Sequence, residues 1–421
     1  MKEIQLRSSI DATVRIPGSK SITHRSAIAA SLATGESKIR GFLPCEDTLY
    51  TISVLRELGI QISMEGEDIK VIGSGGRFVP SSNRKEFYLG NSGTSMRLLV
   101  STVSLAKGEF LLTGSPQMLS RPIEELVDAL NRLGVEAFCL EQNGCPPVLI
   151  RARGIKGGRV TMSGEKSSQY ISSLLLSGPY AEKGIEIEVT GRLVSGPYVD
   201  ITIEVMRRFG ISVIRDGYRY FRVPASNGYR PCQFSVEGDL SAASYFWAAA
   251  AVSGGMVTTE NIRPHSTKQG DIGFLEIIKE MGCQVRRETD RVIVYGGALS
   301  GIEVDMGAMP DMVPTLSAIA LFANGKTVIR NVSHLRHKES NRLRAIALEW
   351  NKLGGRVEEL GDGLIIHGGG RLSGTVVEAY DDHRLAMSLA VVGLKVPGIK
   401  IRDENCVNKS FPGFWKLWDR L

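Results

Sequence analysis

The chain repeats one short motif, which first appears as Val54-Leu55-Arg56-Glu57-Leu58-Gly59. In this motif an amphipathic helical pattern ends on a hydrophobic residue, glycine follows, and a β-prone run comes next. Glycine suits the left-handed conformation in which helices commonly end. The motif returns four times, with its glycine at Gly134, Gly210, Gly282 and Gly354.

The spacing of these glycines predicts a repeat architecture. Successive positions differ by 75, 76, 72 and 72 residues, and such a steady period indicates repeated structural units. A last helix, predicted over Phe411 to Leu421, lacks a following strand, whereas Ile4-Gln5-Leu6 is a strand without a helix. We therefore predict six units of about 70 residues, the sixth completed by the N-terminus. Each unit mixes strands and helices, so the fold class is α/β or α+β; a chain of unrelated segments fits the spacing less well.

The composition narrows the class of protein. Hydrophobic residues make up 43% of the 421 residues and charged residues 23%, as in ordinary globular proteins. The net charge of +6 is not gathered into basic runs, which argues against nucleic acid and favours a small anionic ligand. Six scattered cysteines without a CxxC motif predict reduced thiols and a cytoplasmic location. The N-terminus has no apolar signal core, and the uncharged run from Leu240 to Thr259 suits a buried helix better than a membrane span.

The run Pro17-Gly18-Ser19-Lys20-Ser21-Ile22-Thr23-His24-Arg25 lies between a strand-like segment and an Ala-rich helical pattern. Lys20 and Arg25 flank the predicted helix N-terminus, where free backbone N–H groups and the helix dipole favour an anion. The alternative is a capped surface helix with solvated charges, and this run alone leaves both open. Further along, Asp47 is expected to cap the helix that ends at Gly59.

Small polar and basic residues also precede the helices of the following units. They are Asn91, Gly93, Arg121, Ser167, Ser168, Gln169 and Tyr198. Gly93 would let a ligand approach the backbone, and a guanidinium such as that of Arg121 can grip a carboxylate or phosphate with two hydrogen bonds. Each position also has a plain explanation as a helix cap or a surface ion pair.

The C-terminal half adds acidic residues to this pattern. Asp311 enters an apolar helix and is either a cap or a base with a tuned pKa. Lys338 and Arg342 share a face at helical spacing, with Glu339 beside them, although a solvated face is the usual explanation of such clusters. Arg384 and Lys409 precede two more helices. If the helices of each domain run parallel, their N-termini converge on one cleft suited to a ligand with several negative charges.

Taken together, these motifs resemble the enolpyruvyl transferase family, in its branch that acts on shikimate 3-phosphate. The match covers the whole chain in order: PGSKSITHR (17–25), LGNSGTSMR (89–97), RPIEELVDAL (121–130), SSQ (167–169), PDMVPTL (310–316), LRHKESNRL (335–343), DDHRLAM (381–387) and NKSFPGF (408–414). The resemblance implies two domains of three βαβαββ units each. Residues 1–16 and 235–421 would form a discontinuous domain with both termini, and residues 17–234 the other, with the active site in a closing cleft between them.

The resemblance also implies a reaction. The enolpyruvyl group of phosphoenolpyruvate would pass to the 5-hydroxyl of shikimate 3-phosphate, with release of phosphate, by addition and elimination through a tetrahedral intermediate. No metal or organic cofactor is implied, and we expect a monomer with no nucleic-acid or membrane partner. Asp311 is the candidate base on the 5-hydroxyl, and Glu339 and Lys20 are candidates for proton transfer at the enolpyruvyl carbons.

The motif matches also imply which residues bind each substrate. The resemblance implies that shikimate 3-phosphate is bound by Lys20, Ser21, Arg25, Ser167, Ser168, Gln169, Tyr198, Asp311 and Lys338. It implies that phosphoenolpyruvate or phosphate is bound by Lys20, Asn91, Gly93, Arg121, Gln169, Arg342, Arg384 and Lys409.

The chain departs from the commonest family pattern at two positions. His334 stands where asparagine is frequent, and Leu98 replaces a frequent proline; the roles of His334 and His383 stay open. Gly93 is kept, so sensitivity to glyphosate is expected.

Two rivals remain. The sister transferase that acts on UDP-N-acetylglucosamine typically uses a loop cysteine, and the loop from Lys107 to Ser120 has none. A non-catalytic anion-binding or RNA-end-processing relative would not need the acids and bases together.

Overall fold

The computed structural model describes residues Met1 to Leu421. The chain divides into two compact units, and each has its own hydrophobic core. The first, which we call the terminal unit, comprises Met1–Pro17 and Glu237–Leu421; the second, the inserted unit, comprises Gly18–Val236.

Twelve α-helices follow one another along the chain. They are α1 (Lys20–Leu32), α2 (Glu46–Glu57), α3 (Gly93–Val103), α4 (Glu124–Arg132), α5 (Ser168–Ser177), α6 (Pro197–Arg208), α7 (Leu240–Ser253), α8 (Phe274–Glu280), α9 (Val313–Ala320), α10 (Arg342–Lys352), α11 (His383–Gly393) and α12 (Phe414–Trp418).

Twenty-three β-strands accompany them. They are β1 (Lys2–Glu3), β2 (Asp11–Arg15), β3 (Thr34–Arg40), β4 (Gln61–Glu65), β5 (Asp68–Ser74), β6 (Arg84–Tyr88), β7 (Lys107–Thr113), β8 (Glu136–Cys139), β9 (Val148–Arg153), β10 (Gly158–Ser163), β11 (Ile185–Thr190), β12 (Ile214–Asp216), β13 (Tyr220–Val223), β14 (Gln233–Ser235), β15 (Met256–Glu260), β16 (Gln284–Arg287), β17 (Arg291–Tyr295), β18 (Glu303–Asp305), β19 (Lys326–Arg330), β20 (Arg356–Glu359), β21 (Leu364–His367), β22 (Val376–Val377) and β23 (Lys400–Ile401).

The strands form six sheets, three in each unit. In the sheets β6-β7-β9-β8, β10-β11-β13-β12 and β18-β19-β21-β20, a parallel pair joined by a helix is followed by a second helix and an antiparallel hairpin. This is the βαβαββ order in its simplest form. The predicted mixed class and the count of six units are confirmed.

The other three sheets take a strand from a distant part of the chain. β14 lies parallel to β3 in the sheet β14-β3-β5-β4, and β2 lies parallel to β15 in the sheet β16-β17-β15-β2. The sixth sheet, β1-β23-β22, pairs Lys2 with Ile401, so the N-terminus completes the last unit as expected. The predicted strand at Ile4 to Leu6 is displaced, because β1 covers Lys2–Glu3 and only Ile4 continues the pairing, through its N–H to the Ile399 carbonyl at 3.1 Å.

The repeated glycine ends every second helix in the same way. Gly59, Gly134, Gly210, Gly282 and Gly354 have φ of 91°, 85°, 86°, 119° and 89°. In the first repeat the Gly59 N–H donates to the Arg56 carbonyl at 2.9 Å, and the Ile60 N–H donates to that of Leu55 at 3.1 Å. The other four repeat both bonds, which is the Schellman pattern of helix ends. The predicted left-handed glycines are confirmed.

The helices without this glycine form the interior of each unit. In the inserted unit α1, α3 and α5 pack on one another. Thr94 bonds to Gln169, and farther along the same two helices the Arg97 carbonyl accepts from Ser173, so α3 and α5 run parallel with their N-termini at one end. In the terminal unit α7, α9 and α11 pack together, and every residue of α7 is buried. No helix has the length and apolar character that a membrane crossing requires.

One acidic side chain is enclosed in the terminal unit. Asp271 is buried, and its carboxyl accepts a hydrogen bond from the Ser241 hydroxyl at the start of α7. Burial, followed by the negative charge of Asp311, raises the pKa of Asp271 to about 7, while the Ser241 bond and Arg384 oppose the rise. The carboxyl is therefore partly protonated near neutral pH.

We predict that Asp271→Asn changes the pH dependence of stability. Because the folded pKa exceeds the unfolded one, Asp271 contributes most stability below pH 4 and loses that contribution as the pH rises through 7. The free energy of unfolding of the variant, relative to wild type, should therefore increase from pH 4.5 to 8 by on the order of 4 kcal/mol. Urea denaturation measures it, with the exposed Asp290→Asn as control; a difference independent of pH contradicts the prediction.

Candidate active site

The residues predicted from sequence fall into two groups, one in each unit. The inserted unit holds the Lys20 cluster, defined as Lys20, Ser21, Arg25, Asn91, Gly93, Arg121, Ser167, Ser168, Gln169 and Tyr198. The terminal unit holds the Arg342 cluster, defined as Asp311, Lys338, Glu339, Arg342, Arg384 and Lys409.

Lys20 is the first residue of α1, where backbone N–H groups are available for an anion. Its side chain is buried, and its Nζ donates to Asp47 Oδ2 at 2.9 Å. The expectation that Asp47 caps α2 is wrong. Cys45 is the N-cap of that helix, its N–H donating to the Thr48 hydroxyl, and the Asp47 carboxylate is directed to Lys20 instead.

Arg25 is a buried cation held by uncharged oxygens. Its Nε donates to the Thr202 hydroxyl at 2.6 Å, and its two Nη atoms donate to the Ser21 carbonyl and the Ser172 hydroxyl at 2.9 and 3.4 Å. Burial lowers the pKa of Arg25 to about 10, while Tyr198 acts in the opposite direction, so the guanidinium stays charged at neutral pH. Since no carboxylate pairs with it, an anionic ligand would neutralise this charge.

Arg121 lies against the first residue of α3. Its Nη1 donates to the Asn91 carbonyl at 3.0 Å and to Asn91 Oδ1 at 3.1 Å. A Cβ atom at Gly93 would lie 2.6 Å from Arg121 Nη2, inside any normal contact. The missing side chain of Gly93 therefore makes room for the guanidinium at this helix N-terminus.

Gln169 joins the starts of α5 and α3. Ser167 is the N-cap of α5, accepting from the Gln169 N–H at 3.3 Å, and Ser168 is the first residue of the helix. The Gln169 side chain accepts from Arg97 at 2.8 Å and donates to Thr94 at 3.0 Å. Arg97 also bonds to the Pro122 carbonyl, which favours a structural role for it.

Arg342 is the centre of the second cluster. Its side chain is 1% exposed and meets three carboxylates. Nη1 lies 2.9 Å from Asp311 Oδ1, Nη2 lies 2.7 Å from Glu339 Oε2, and Nε lies 2.8 Å from Asp382 Oδ2. Such a guanidinium is fixed in place, because a buried charge that loses its partners is strongly destabilising.

Asp311 is held between two guanidinium groups. Arg342 donates to its Oδ1, and Arg384 Nη2 donates to its Oδ2 at 2.8 Å. Burial alone would raise the pKa of Asp311, but the charges of Arg384, Lys338 and Arg342 hold that pKa well below its usual range. Asp311 is therefore an ionised acceptor at neutral pH, and its role as a plain helix cap is not what the structure shows.

The prediction that Lys338 and Arg342 share one face of a helix is wrong. A 3-10 helix ends at His337, Lys338 is extended, and α10 begins only at Arg342 because Asn341 is its N-cap. Lys338 joins the cluster through its charge beside Asp311 instead. Lys409 ends another 3-10 helix, one that packs on α11, and is buried.

The two histidines left open by the sequence are both buried. Burial and the charge of Lys338 lower the pKa of His334 to about 3, so this side chain is a neutral imidazole beside the cluster. His383 is the first residue of α11, directly before Arg384.

The sequence placed one further acid, Asp382, in the predicted cleft without assigning it a role. Asp382 is fully buried, is the N-cap of α11 and holds Arg342 through both of its oxygens. Its position just before a helix signals a cap, but nothing local reveals a partner 40 residues away. No group of three or more His, Cys, Asp or Glu side chains is arranged to hold a metal ion.

The chain is similar over nearly its whole length to known proteins. The family model described as EPSP synthase (3-phosphoshikimate 1-carboxyvinyltransferase) matches residues 4–418. A relative from Methanoculleus marisnigri is 44% identical over 97% of this chain and 96% of its own, and one from Syntrophobacter fumaroxidans is 42% identical over 100% and 99%. Both are named 3-phosphoshikimate 1-carboxyvinyltransferase.

A solved structure of EPSP synthase from Acinetobacter baumannii is also similar. Its TM-score to this chain is 0.82 at 29% identity, with 99% of this chain and 97% of that one covered. The whole-length match to the family model and to these relatives shows that the chain belongs to the EPSP synthase family.

Proposed function

We propose that this chain transfers the enolpyruvyl group of phosphoenolpyruvate to the 5-hydroxyl of shikimate 3-phosphate and releases phosphate. Membership of the EPSP synthase family supports the reaction. The observation that carries the assignment of residues is the ionised Asp311 held between Arg342 and Arg384. The UDP-sugar reaction is not favoured, because the relatives are named for the shikimate reaction.

The proposal divides the anion-binding residues between the two substrates. Arg342, Arg384 and Lys409, with Arg121, Asn91 and Gly93, would bind the phosphate and carboxylate of phosphoenolpyruvate. Ser21, Arg25, Ser167, Ser168 and Tyr198, with Lys338, would bind shikimate 3-phosphate. Lys20 and Gln169 would serve both. Both clusters would then act on one pair of substrates. We propose that they do so in a cleft that closes on the substrates, between one domain formed by residues 1–16 and 235–421 and a second formed by residues 17–234.

Asp311 is proposed as the base of the addition step. It would take the proton of the 5-hydroxyl while that oxygen forms a bond to C2 of phosphoenolpyruvate. The neighbouring cations keep the pKa of Asp311 too low for a strong base. Anionic substrates would neutralise those cations and raise the pKa of Asp311, so the base would become effective only when phosphoenolpyruvate is bound.

The second proton movement is assigned to Glu339 and Lys20. Addition requires a proton at C3, which converts the methylene to a methyl group in the tetrahedral intermediate. Elimination returns that proton to the protein as the C2–O bond to phosphate breaks. Glu339 and Asp311 share Arg342 as a partner, so protonation of one alters the field at the other.

We propose further that the chain works in the cytoplasm as a monomer, without a cofactor and without nucleic acid. All six cysteines are free, which supports a reducing compartment. Many surface arginines and lysines pair with acids, such as Arg159 with Glu188 and Lys70 with Glu36, so these basic side chains do not form an unpaired basic stripe.

We expect the chain to discriminate between the two candidate acceptor substrates. With phosphoenolpyruvate present, the chain should release phosphate when shikimate 3-phosphate is supplied and not when UDP-N-acetylglucosamine is supplied. A colorimetric phosphate assay on the two mixtures tests this. Release only with the UDP-sugar would move the chain to the sister reaction, and release with neither would refute the proposed function.

Asp311→Asn should separate chemistry from binding. The amide keeps an oxygen for one guanidinium but cannot take the proton of the 5-hydroxyl, so kcat should fall roughly 100-fold or more. KM for shikimate 3-phosphate should change much less. Steady-state kinetics test this, with Asp290→Asn as the exposed control in the same unit. Near-normal kcat in a folded Asp311→Asn variant would remove the base assignment.

Gly93→Ala should weaken phosphoenolpyruvate binding. The added methyl group would meet the end of the Arg121 side chain, which can move, so the fold should survive while the guanidinium shifts. KM for phosphoenolpyruvate should rise roughly tenfold with a smaller change for shikimate 3-phosphate. Glyphosate, which we expect to inhibit wild type at low phosphoenolpyruvate, should inhibit the variant less. Gly361→Ala, with nothing near the new methyl group, is the control. Unchanged KM and inhibition in Gly93→Ala would contradict the assignment.

A further inference from the structure

A buried acid lies in α10 two turns beyond Arg342. Glu349 is 3% exposed and accepts three hydrogen bonds. Its Oε1 accepts from the Tyr380 hydroxyl at 2.7 Å, and its Oε2 accepts from the Glu378 N–H at 3.0 Å and from Lys352 Nζ at 3.2 Å. Two of these donors belong to the segment that leads into α11, which begins 34 residues later in the chain.

That segment has a strained backbone. Tyr380 and Asp381 have φ of 56° and 52°, in the left-handed region that residues with side chains rarely adopt. Such a conformation persists only where the surrounding structure enforces it. The turn leads directly to Asp382, whose N–H donates to the Ala379 carbonyl at 2.9 Å and whose carboxylate caps α11.

Helix α10 therefore holds the segment from Glu378 to Arg384 at two points. At its start Arg342 binds Asp382, and seven residues later Glu349 binds Glu378 and Tyr380. Seven residues are close to two helical turns, so both attachments lie on one face of α10. Without the second attachment the strained turn could relax, and Asp382 and Arg384 would move with it.

Tyr380 is suited to its part in this attachment. Partial burial, the hydrogen bond to Glu349 and the charge of that carboxylate raise the pKa of Tyr380 to about 12. The phenol therefore remains a donor across the physiological range of pH.

We infer that Glu349 is a positioning residue, which fixes Arg384 against Asp311 through the turn at Tyr380 and Asp381. The inference rests on the proposed function, in which Arg384 binds the phosphate or carboxylate of phosphoenolpyruvate. The hydrogen-bond partners of Glu349 are Lys352, Glu378 and Tyr380, none of which is assigned to a substrate. Its influence on the assigned residues would therefore pass through Asp382.

The test uses Glu349→Gln in the full chain. The substituted amide keeps the size of the side chain but carries no charge for the three donors, so the turn should loosen. KM for phosphoenolpyruvate should rise roughly tenfold, with KM for shikimate 3-phosphate within about twofold, because most residues assigned to that substrate lie in the other unit. Glu303→Gln is the matched control: this glutamate pairs with Arg330, its side chain is 62% exposed, and it lies in the same unit.

Tyr380→Phe removes one hydrogen bond of the same attachment. It tests the inference even if Glu349→Gln does not fold. It should raise KM for phosphoenolpyruvate in the same direction by a smaller factor. The double variant should be little worse than Glu349→Gln alone, because both changes break the same link. Wild-type KM values for phosphoenolpyruvate in both single variants would overturn the inference, as would a fall in kcat with unchanged KM, the pattern of reduced stability alone.

Calorimetric binding of inorganic phosphate separates this inference from the proposed function. Glu349→Gln should bind phosphate roughly tenfold more weakly than wild type, whether or not the chain turns over shikimate 3-phosphate. Weakened binding without turnover in wild type would refute the proposed reaction and leave the positioning role standing. Equal phosphate affinity in wild type and variant would refute the positioning role.

Discussion

A backbone constraint governs the architecture: after every second helix the chain must enter the left-handed region. The five glycines that do so each close the helix with the same pair of hydrogen bonds and turn the chain into a β-hairpin. The other helix of each unit is left to pack in the interior. In the inserted unit the interior helices α3 and α5 run parallel, which places their N-termini at one end. The residues that we propose bind anions lie in helix-entry loops, so they gather at that end as a consequence of the repeat.

The two clusters handle buried positive charge in opposite ways. Arg342 is surrounded by Asp311, Glu339 and Asp382, so its charge is more than balanced by the protein. Arg25 is held by hydroxyl and carbonyl oxygens alone. If substrates bind as proposed, an anion at Arg342 would compete with carboxylates already in place, whereas an anion at Arg25 would meet an unbalanced charge. Rigid, pre-paired groups lose little order on binding, and this preorganisation is what stabilises a charged transition state.

Features set by neighbouring residues were predictable from the sequence, and features set by distant ones were not. The glycine period gave the correct unit count because each helix end is a local event. The start of α10 was mispredicted because the Asn341 cap outweighs the spacing of Lys338 and Arg342. Asp47 was read as a cap because its partner, Lys20, is 27 residues away. The links from Asp382 to Arg342 and from Glu349 to Tyr380 depend on packing between helices, and no local pattern encodes them.

The strands that pair with distant parts of the chain also set an order of assembly during synthesis. The inserted unit takes its last strand, β14, from Gln233–Ser235, so it has all its parts once residue 236 has been made. The strands β1 and β2 are made before their partners β23 and β15, and Lys2 can pair with Ile401 only after almost 400 further residues have been made. Each of these two strands can therefore join its sheet only after its more C-terminal partner has been made. Until then these strands have unpaired edges, the state in which nascent chains are most prone to associate wrongly.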